Sequence, residues 1–371
     1  MKSVILVSNT SWYLYNFRLS IIHLLQDKGF KVYCIANYDD YTARLVEHGV
    51  TYIRSEVSNK GTNPISDLQY QAFLKNEYIR IDPDFIFHYT VKPNIYGSLA
   101  AGKLSKRSIA VVSGAGYAFL KKGFLNGIVK RLYKQAAKNS QELWFVNKDD
   151  QLLFVQENIV PENKTKVLPG EGINTAHFKR DTPYPSLDNG LTFILSARML
   201  WDKGVGVYID AARKVKEKHP HVKFQLLGFI DDLNPSSISR DQIESWVNEG
   251  VVEYLGVTDN VKSFLVKAHC FVLPSYYREG VPRALLEAAS LEMPIITTDN
   301  VGCREVVTDG YNGYICASKN SDSLAEQMEK ILSKTYDELK QMGMNGREKV
   351  TAEFHEKLVL QYYEDLIAAS L

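Results

Sequence analysis

The stretch CFVLPSYYREGVPRALLEAASLEMPIITT, residues 270–298, contains a complete strand–loop–helix–strand unit. Its first apolar run predicts a strand that ends near Ser275, and YYREG predicts the loop that follows. Pro282 suits the first position of a helix, because the N–H that it lacks would have no partner there. A second strand is predicted at PIITT, so the stretch is typical of a parallel sheet covered by helices.

The same alternation of short strands and helices extends over most of the chain. It is interrupted at residues 168–190, which are rich in Gly, Pro, Asp and Asn and show no period. We therefore predict an α/β protein with Rossmann-like, doubly wound domains at 1–170 and 191–352, joined by a linker at 171–190. A last helix, 353–371, is expected to pack back toward the first domain. Ligands of such sheets bind at the carboxyl ends of strands, which favours a cleft between the domains as the site.

The bulk composition is that of a soluble globular protein. The chain has 371 residues, of which 45% are hydrophobic and 23% are charged, a length that suits two domains. The four cysteines form no C-x-x-C pair, so we interpret them as reduced, structural residues of a cytoplasmic protein. No apolar run reaches 18 residues and the N-terminal run is too short for a signal peptide, so any membrane contact is expected to be peripheral.

The charges are unevenly distributed. Residues 1–180 hold 24 Lys and Arg against 15 Asp and Glu, whereas residues 181–371 hold 20 against 28. No acidic residue occurs between Asp84 and Glu142, a window with ten Lys and Arg. Such a field attracts an anionic partner.

Within this window, residues 121–139 have the pattern of a basic amphipathic helix. Helices of this kind lie on anionic membranes, although ordinary packed helices share the pattern. The residues that we expect at a membrane surface are Lys121, Lys122, Lys130, Arg131 and Lys134. No nucleic-acid partner is expected.

The opening stretch also carries two glutamates eight positions apart. Glu279 lies on the loop at a strand's carboxyl end, and Glu287 lies on the helix. The backbone N–H groups around Gly280 and Val281 suit a phosphate, and Gly280 allows the backbone to come close to a ligand. Glu287 could equally be a solvated helix carboxylate.

A second block, SARMLWDKGV, places two cations near the start of the second domain. Arg198 ends its first predicted strand, and Lys203 precedes a helix. An Arg and a Lys at these places can clamp a diphosphate, although a pair of surface charges would have the same pattern.

These blocks, with YLGVTDNV between them, resemble the retaining glycosyltransferases of family 4, which have the GT-B fold. The family's E-x7-E motif matches Glu279 and Glu287, and its Arg and Lys match Arg198 and Lys203. The resemblance is to bacterial enzymes that extend a sugar on undecaprenyl diphosphate, of the α-1,3-N-acetylgalactosaminyltransferase type. It implies a peripheral enzyme at the inner face of the cytoplasmic membrane, in O-antigen, capsule or protein-glycan assembly.

The resemblance also implies how a donor, a UDP-hexose or UDP-N-acetylhexosamine, would be held. Arg198 and Lys203 would bind its diphosphate, Glu279 the sugar hydroxyls and Glu287 the ribose. Two cations would offset the leaving diphosphate, so no metal or other cofactor is expected. The other donor-binding candidates are Gly280, Val281, Pro282, Gly228 and Leu255.

The first domain is expected to bind the acceptor, a polyprenyl-diphosphate-linked sugar. Its first strand–helix turn lacks the glycine-rich loop of many family members and offers Ser8, Asn9 and Thr10 instead. The acceptor-binding candidates are Asn16, Arg18, His88, Lys92, Gly114 and Gly116, the two glycines on a flexible loop. Arg18 could instead be a helix-surface charge, and His88 could be a core residue.

Three alternatives stay open at this point. Asp82 and Asp84 form a D-x-D pair, a metal signature of another glycosyltransferase fold, but Pro83 favours a structural turn. A GT-B nucleotide-sugar epimerase would share the donor motif without needing a lipid acceptor. A non-catalytic lipid- or polyanion-binding module would use only the basic half.

Overall fold

The computed structural model describes residues 2–56, 63–116, 119, 124–188, 190–232 and 234–369. The chain forms two compact units: unit 1 comprises Met1–Glu171 and Glu356–Leu371, and unit 2 comprises Gly172–His355.

The segment predicted as a linker, 171–190, belongs almost entirely to unit 2. Ile173, Phe178 and Tyr184 are buried in the hydrophobic clusters of that unit. The interrupted pattern therefore marks irregular chain that packs onto unit 2, and the change of unit occurs at Glu171.

Unit 1 contains a parallel sheet of seven strands in the order β3-β2-β1-β4-β5-β6-β7. Its strands are β1 Ser3–Thr10, β2 Lys31–Asn37, β3 Thr51–Arg54, β4 Phe85–Tyr89, β5 Ser108–Val112, β6 Glu142–Phe145 and β7 Thr165–Val167. The strand order reverses between β1 and β4, which is the topological switch point where doubly wound sheets bind ligands.

Helices cover both faces of this sheet. They are α1 Ser11–Asp27, α2 Thr42–Glu47, α3 Pro64–Ile81, α4 Ser98–Gly102 after a π turn at Pro93–Gly97, α5 Phe124–Asn139 and α6 Lys148–Gln156. Val4 and Leu6 of β1 pack in one core with α1, whereas Ile5 and Val7 pack in another with α3 and α4. This alternation follows from the two-residue period of a strand.

Unit 2 contains a parallel sheet of six strands in the order β10-β9-β8-β11-β12-β13. Its strands are β8 Thr192–Ser196, β9 Lys223–Leu227, β10 Glu253–Tyr254, β11 Cys270–Leu273, β12 Ile295–Thr298 and β13 Gly313–Cys316. Its helices are α7 Val205–Lys218, α8 Arg240–Asn248, α9 Lys262–Leu265, α10 Arg283–Ser290, α11 Cys303–Val306, α12 Ser321–Leu332 and α13 Tyr336–Glu353. The opening stretch of the sequence is thus β11–α10–β12.

The last helix, α14 Glu356–Ala368, belongs to unit 1. Its Val359, Tyr363, Leu366 and Ile367 are buried in the same core as α1. No helix in the described part of the chain is both long and apolar enough to cross a membrane.

Candidate functional site

A partly buried ion pair lies at the carboxyl end of β11 in unit 2. Lys203 Nζ lies 2.5 Å from Glu279 Oε1, and the two side chains are only 15% and 11% exposed. Ser275 Oγ donates to the same carboxylate oxygen over 2.9 Å, a contact that no sequence motif indicates. Lys203 and Glu279, predicted separately from two blocks 76 residues apart, are therefore one cluster.

Two glycines allow the loop that carries Glu279 to pack against its neighbours. Gly204 has a φ of +77°, and a Cβ there would lie 2.1 Å from the carbonyl oxygen of Pro274. Gly302 has a φ of +80°, and a Cβ there would lie 1.9 Å from the carbonyl oxygen of Gly280. Only glycine can adopt the left-handed backbone and also lie this close to a neighbouring carbonyl oxygen. These two glycines therefore help to determine the position of the loop that carries Glu279.

Glu287 lies on α10 and is held by its own helix. Arg283 Nε donates to Glu287 Oε1 over 3.0 Å, one turn earlier. Burial raises the pKa of Glu287, and the Arg283 guanidinium opposes that rise. Pro282 has an extended backbone (φ −62°, ψ 117°) and caps the helix, which begins one residue later than predicted.

Arg198 does not share the contacts of Lys203. Its side chain is 45% exposed, and its Nη1 lies 3.7 Å from Asp231 Oδ2. The structure therefore joins Lys203 to Glu279 and Arg198 to Asp231, a partner that no sequence motif indicated.

Gly228 and Leu255, two further donor-binding candidates, lie directly after β9 and β10. Gly228 has a φ of +143°, and a Cβ there would lie 1.9 Å from the carbonyl oxygen of Ala197. The N–H of Gly228 donates to the carbonyl of Gly256 over 2.8 Å, and the Tyr254 hydroxyl donates to the carbonyl of Gly228 over 2.8 Å. The N–H of Leu255 donates to Leu226, so these strand ends are tied together.

Arg18, an acceptor-binding candidate in unit 1, is an internal charge. It is 1% exposed, forms an ion pair with Glu171 and donates from Nη2 to the Tyr13 hydroxyl over 2.5 Å. Its guanidinium also lies 4.4 Å from the ring centroid of Tyr89. The structure thus contradicts the interpretation as a helix-surface charge, and a contact with the acceptor stays a prediction.

His88 is a core residue, as one alternative held. Its Nε2 lies 2.8 Å from the Tyr78 hydroxyl, and a Cβ at Gly97 would lie 2.4 Å from its ring. Burial lowers the pKa of His88 to about 3, so the ring is neutral at pH 7. Lys92 likewise has an internal partner, since its Nζ lies 2.7 Å from Asp67 Oδ1.

The other acceptor-binding candidates lie on α1 and in the loop after β5 of unit 1. Asn16 donates from Nδ2 to the carbonyl of Trp12 over 2.9 Å. Gly114 and Gly116 have φ values of +137° and +71° after β5, and the N–H between them donates to Asp150 Oδ2 over 3.0 Å. Most of the loop that follows, with Lys121 and Lys122, lies outside the described residues.

The basic helix α5 presents one exposed face. That face carries Ile128, Arg131, Lys134 and Lys138, at helical spacing. Lys130, predicted for the same surface, is 27% exposed and pairs with Glu157 over 2.9 Å. The partner, Glu157, directly follows α6 and is distant in sequence, so the pattern of α5 alone could not distinguish Lys130 from the other cations of the helix.

The D-x-D pair has structural partners. Asp84 Oδ2 accepts from the N–H of Ser3 over 2.8 Å, and Asp82 ends α3 with a left-handed backbone and pairs with Lys106. Within the described ranges, no group of three or more His, Cys, Asp or Glu side chains could hold a metal ion.

Comparisons with known proteins agree over nearly the whole chain. Residues 181–349 match the family described as "Glycosyl transferases group 1", and residues 3–147 match "Glycosyl transferase 4-like". The N,N'-diacetylbacillosaminyl-diphospho-undecaprenol α-1,3-N-acetylgalactosaminyltransferase of Campylobacter jejuni is 31% identical, covering 96% of this chain and 93% of its own. The capsular polysaccharide biosynthesis glycosyltransferase CapM of Staphylococcus aureus is 27% identical, covering 75% of this chain and 74% of its own.

Solved structures share the fold at lower identity. HepE of Anabaena, solved with UDP and glucose, superposes with a TM-score of 0.81 at 16% identity, covering 100% of both chains. A glycosyltransferase of Rickettsia africae superposes with a TM-score of 0.80 at 17% identity, covering 100% of this chain and 98% of its own.

Proposed function

The chain belongs to the group 1 glycosyltransferases of GT-B fold, and on that premise we propose which transfer it performs. It moves a hexose or N-acetylhexosamine from a UDP-sugar to a polyprenyl-diphosphate-linked sugar, with retention of the anomeric configuration, in the assembly of a glycan. The Campylobacter relative, named for a diphospho-undecaprenol acceptor, supports the lipid-linked part of this proposal.

The Lys203–Glu279 pair at the end of β11 carries the proposal. In the transfer, the bond from the anomeric carbon to the diphosphate breaks and a bond to an acceptor hydroxyl oxygen forms. The hydroxyl proton passes to the departing diphosphate. Lys203 stabilises the negative charge that develops there, and Glu279 accepts hydrogen bonds from the donor sugar.

The proposed reaction needs no bound metal. Lys203 supplies a positive charge, and the N–H groups at the start of α10 supply donors for phosphate oxygens. We expect transfer to continue at an unchanged rate in the presence of EDTA.

A screen of UDP-sugars against a short-chain polyprenyl-diphosphate sugar tests the proposal, with released UDP and lipid-linked product as readouts. Glu279→Gln keeps the side-chain shape and is expected to lower kcat about 100-fold or more. Glu244→Gln, an exposed acid on α8, is the matched control and should leave the rate unchanged. Free epimerised sugar without lipid product, or full activity in Glu279→Gln, would contradict the assignment.

A peripheral position at the inner membrane face completes the proposal. The exposed basic face of α5 supports it, because cations beside an apolar residue favour an anionic lipid surface.

A further inference from the structure

Ser275 is a fully buried residue that follows the end of β11 by two positions. Its Oγ donates to Glu279 Oε1 over 2.9 Å and also lies 3.2 Å from the carbonyl oxygen of Asp202. Asp202 directly precedes Lys203 in the chain. One hydroxyl therefore contacts both segments that carry the charges of the Lys203–Glu279 pair.

The hydroxyl of Ser275 has a single hydrogen, for which the two acceptors compete. The carbonyl of Asp202 already accepts from the backbone N–H groups of Tyr276 and Tyr277, over 3.0 and 3.1 Å. A carboxylate also forms stronger hydrogen bonds than a neutral carbonyl does. The hydrogen of Ser275 is therefore directed to Glu279.

Two donors thus meet at one oxygen of Glu279. Lys203 Nζ lies 2.5 Å from Oε1, and Ser275 Oγ lies 2.9 Å from the same atom. Lysine carries its ammonium on a flexible four-carbon stem, so Lys203 alone would follow a carboxylate that turned. Serine carries its hydroxyl on one carbon, and Ser275 is fully buried, so its hydroxyl fixes the orientation of the carboxylate.

The backbone of this loop has partners that do not depend on the Ser275 hydroxyl. The Thr298 hydroxyl of β12 donates to the carbonyl of Ser275 over 2.5 Å. The N–H of Tyr277 lies 3.3 Å from Ser275 Oγ but also donates to Asp202, so it keeps a partner when the hydroxyl is removed. Truncating Ser275 should therefore affect Glu279 without undoing the loop.

We propose that Ser275 is a positioning residue for the transfer, whose hydroxyl holds the carboxylate of Glu279 in the orientation that binds the donor sugar. The inference rests on the proposed function, because it takes Glu279 to contact that sugar. Since Ser275 acts through Glu279, its removal should affect steps that depend on the sugar and spare the binding of UDP.

Steady-state kinetics measure the loss. Ser275→Ala leaves Glu279 paired with Lys203 and should lower kcat about 10-fold to 100-fold, the effect of losing one hydrogen bond to a charged group. Ser275→Thr keeps the hydroxyl and should have a kcat close to that of the wild type. Ser290→Ala is the matched control, because Ser290 is fully buried and its hydroxyl donates to the carbonyl of Phe178 over 2.7 Å. It should keep the wild-type kcat.

A double-mutant cycle shows whether Ser275 acts through Glu279. Glu279→Ala removes the acceptor, so adding Ser275→Ala in that background should lower the residual kcat by less than about twofold. A serine that only supported the loop would lower the rate by the same factor in both backgrounds.

Isothermal titration calorimetry gives a readout that needs no turnover. UDP lacks the sugar, so Ser275→Ala should bind UDP as tightly as the wild type does. The sugar probes are UDP-N-acetylglucosamine and UDP-N-acetylgalactosamine. The probe that the wild type binds more tightly should bind to Ser275→Ala more weakly, by about threefold or more.

A wild-type kcat in Ser275→Ala, equal losses in both backgrounds of the cycle, or equal losses of affinity for UDP and for the sugar probe would overturn the inference. If Ser275→Ala does not fold by circular dichroism, Ser275→Cys replaces it with the same expectations, because a thiol is a weak donor. A failure of every UDP-sugar to react would instead contradict the proposed function, and the calorimetric comparison would still decide the role of Ser275.

Discussion

Gly302 supports Glu279 from outside the loop that carries it. Ala at this position would combine a φ of +80° with a Cβ 1.9 Å from the carbonyl oxygen of Gly280, so the loop must move. Since a misplacement of about 1 Å can lower a rate 100-fold, we expect Gly302→Ala to reduce kcat by a factor of roughly 10 to 100. Steady-state UDP release measures this.

Gly310→Ala is the control for that substitution. Gly310 has a φ of +74° but nothing within 4 Å of a Cβ, so it carries only the backbone cost, about 1–2 kcal/mol. The Gly310→Ala variant should be less stable than the wild type and keep the same kcat. Equal losses of activity in both variants would show that close packing at Gly302 is unimportant for the reaction.

His88 makes the stability of unit 1 depend on pH. Its pKa is lowered to about 3 by burial, whereas an unfolded histidine titrates near 6.5. Below pH ~6.5 the unfolded state therefore binds a proton at His88 that the folded state does not bind. The free energy of unfolding then falls by up to about 1.4 kcal/mol per pH unit toward pH 3. Above pH ~6.5 His88 is neutral in both states, so this loss of stability does not occur.

His88→Gln should remove that slope. Urea unfolding at pH 5 and pH 7 measures it as a smaller difference in midpoint for the variant than for the wild type, even if the variant is less stable at both values. Equal differences in the two proteins would mean that His88 takes up its proton in the folded state.

At the scale of elements, the cations of α5 have two different environments on one helix. Arg131, Lys134 and Lys138 lie on the exposed face, whereas Lys130 pairs with Glu157. Each exposed cation contributes about 1 kcal/mol to binding at an anionic surface, so changing all three to Gln should weaken binding to phosphatidylserine vesicles by roughly 100-fold at low salt.

Lys130→Gln is the matched control, because its charge is already balanced within the protein. It should lower vesicle binding far less than any single substitution on the exposed face. Co-sedimentation at two salt concentrations measures both, and binding by the wild type should fall as salt rises. If Lys130→Gln lost vesicle binding and the triple variant kept it, the exposed face of α5 would not be the membrane-binding face.

The elements themselves were largely predictable from the sequence. The β11–α10–β12 stretch folds as its apolar pattern and Pro282 indicate. Strands and helices of this kind are determined by backbone sterics and by the spacing of apolar residues, both of which can be read from a few neighbouring positions. The segment 171–190 was misassigned because lack of a period does not exclude packing, and its scattered apolar residues are buried in unit 2.

The partners of the site residues were much less predictable. Arg18 meets Glu171 and Arg198 meets Asp231 through tertiary packing, which no local spacing encodes. Lys203 and Glu279 were each predicted from a motif, but their pairing with one another was not. Thr90 has a φ of +68°, a conformation that its β-branched type disfavours, so no sequence pattern indicates it.

For the whole molecule, unit 1 is completed by the end of the chain. Tyr363 of α14 is fully buried, with ring centroids 4.9 Å from Phe87 and 5.0 Å from Trp144, and its hydroxyl lies 3.0 Å from that of Tyr89. Tyr363→Ala should leave a cavity in unit 1 and destabilise it by about 3–5 kcal/mol. Unit 2 has separate cores and should keep its stability.

Hydrogen exchange followed by mass spectrometry resolves the two units in one experiment. Peptides of β1, β4 and β6 should exchange faster in Tyr363→Ala, while those of β8, β11 and β12 should not change. Leu358→Ala, on an exposed position of the same helix, should change stability by less than about 0.5 kcal/mol. Faster exchange in unit 2 as well would mean that the units open together, so that α14 stabilises the whole chain and the donor-binding residues with it.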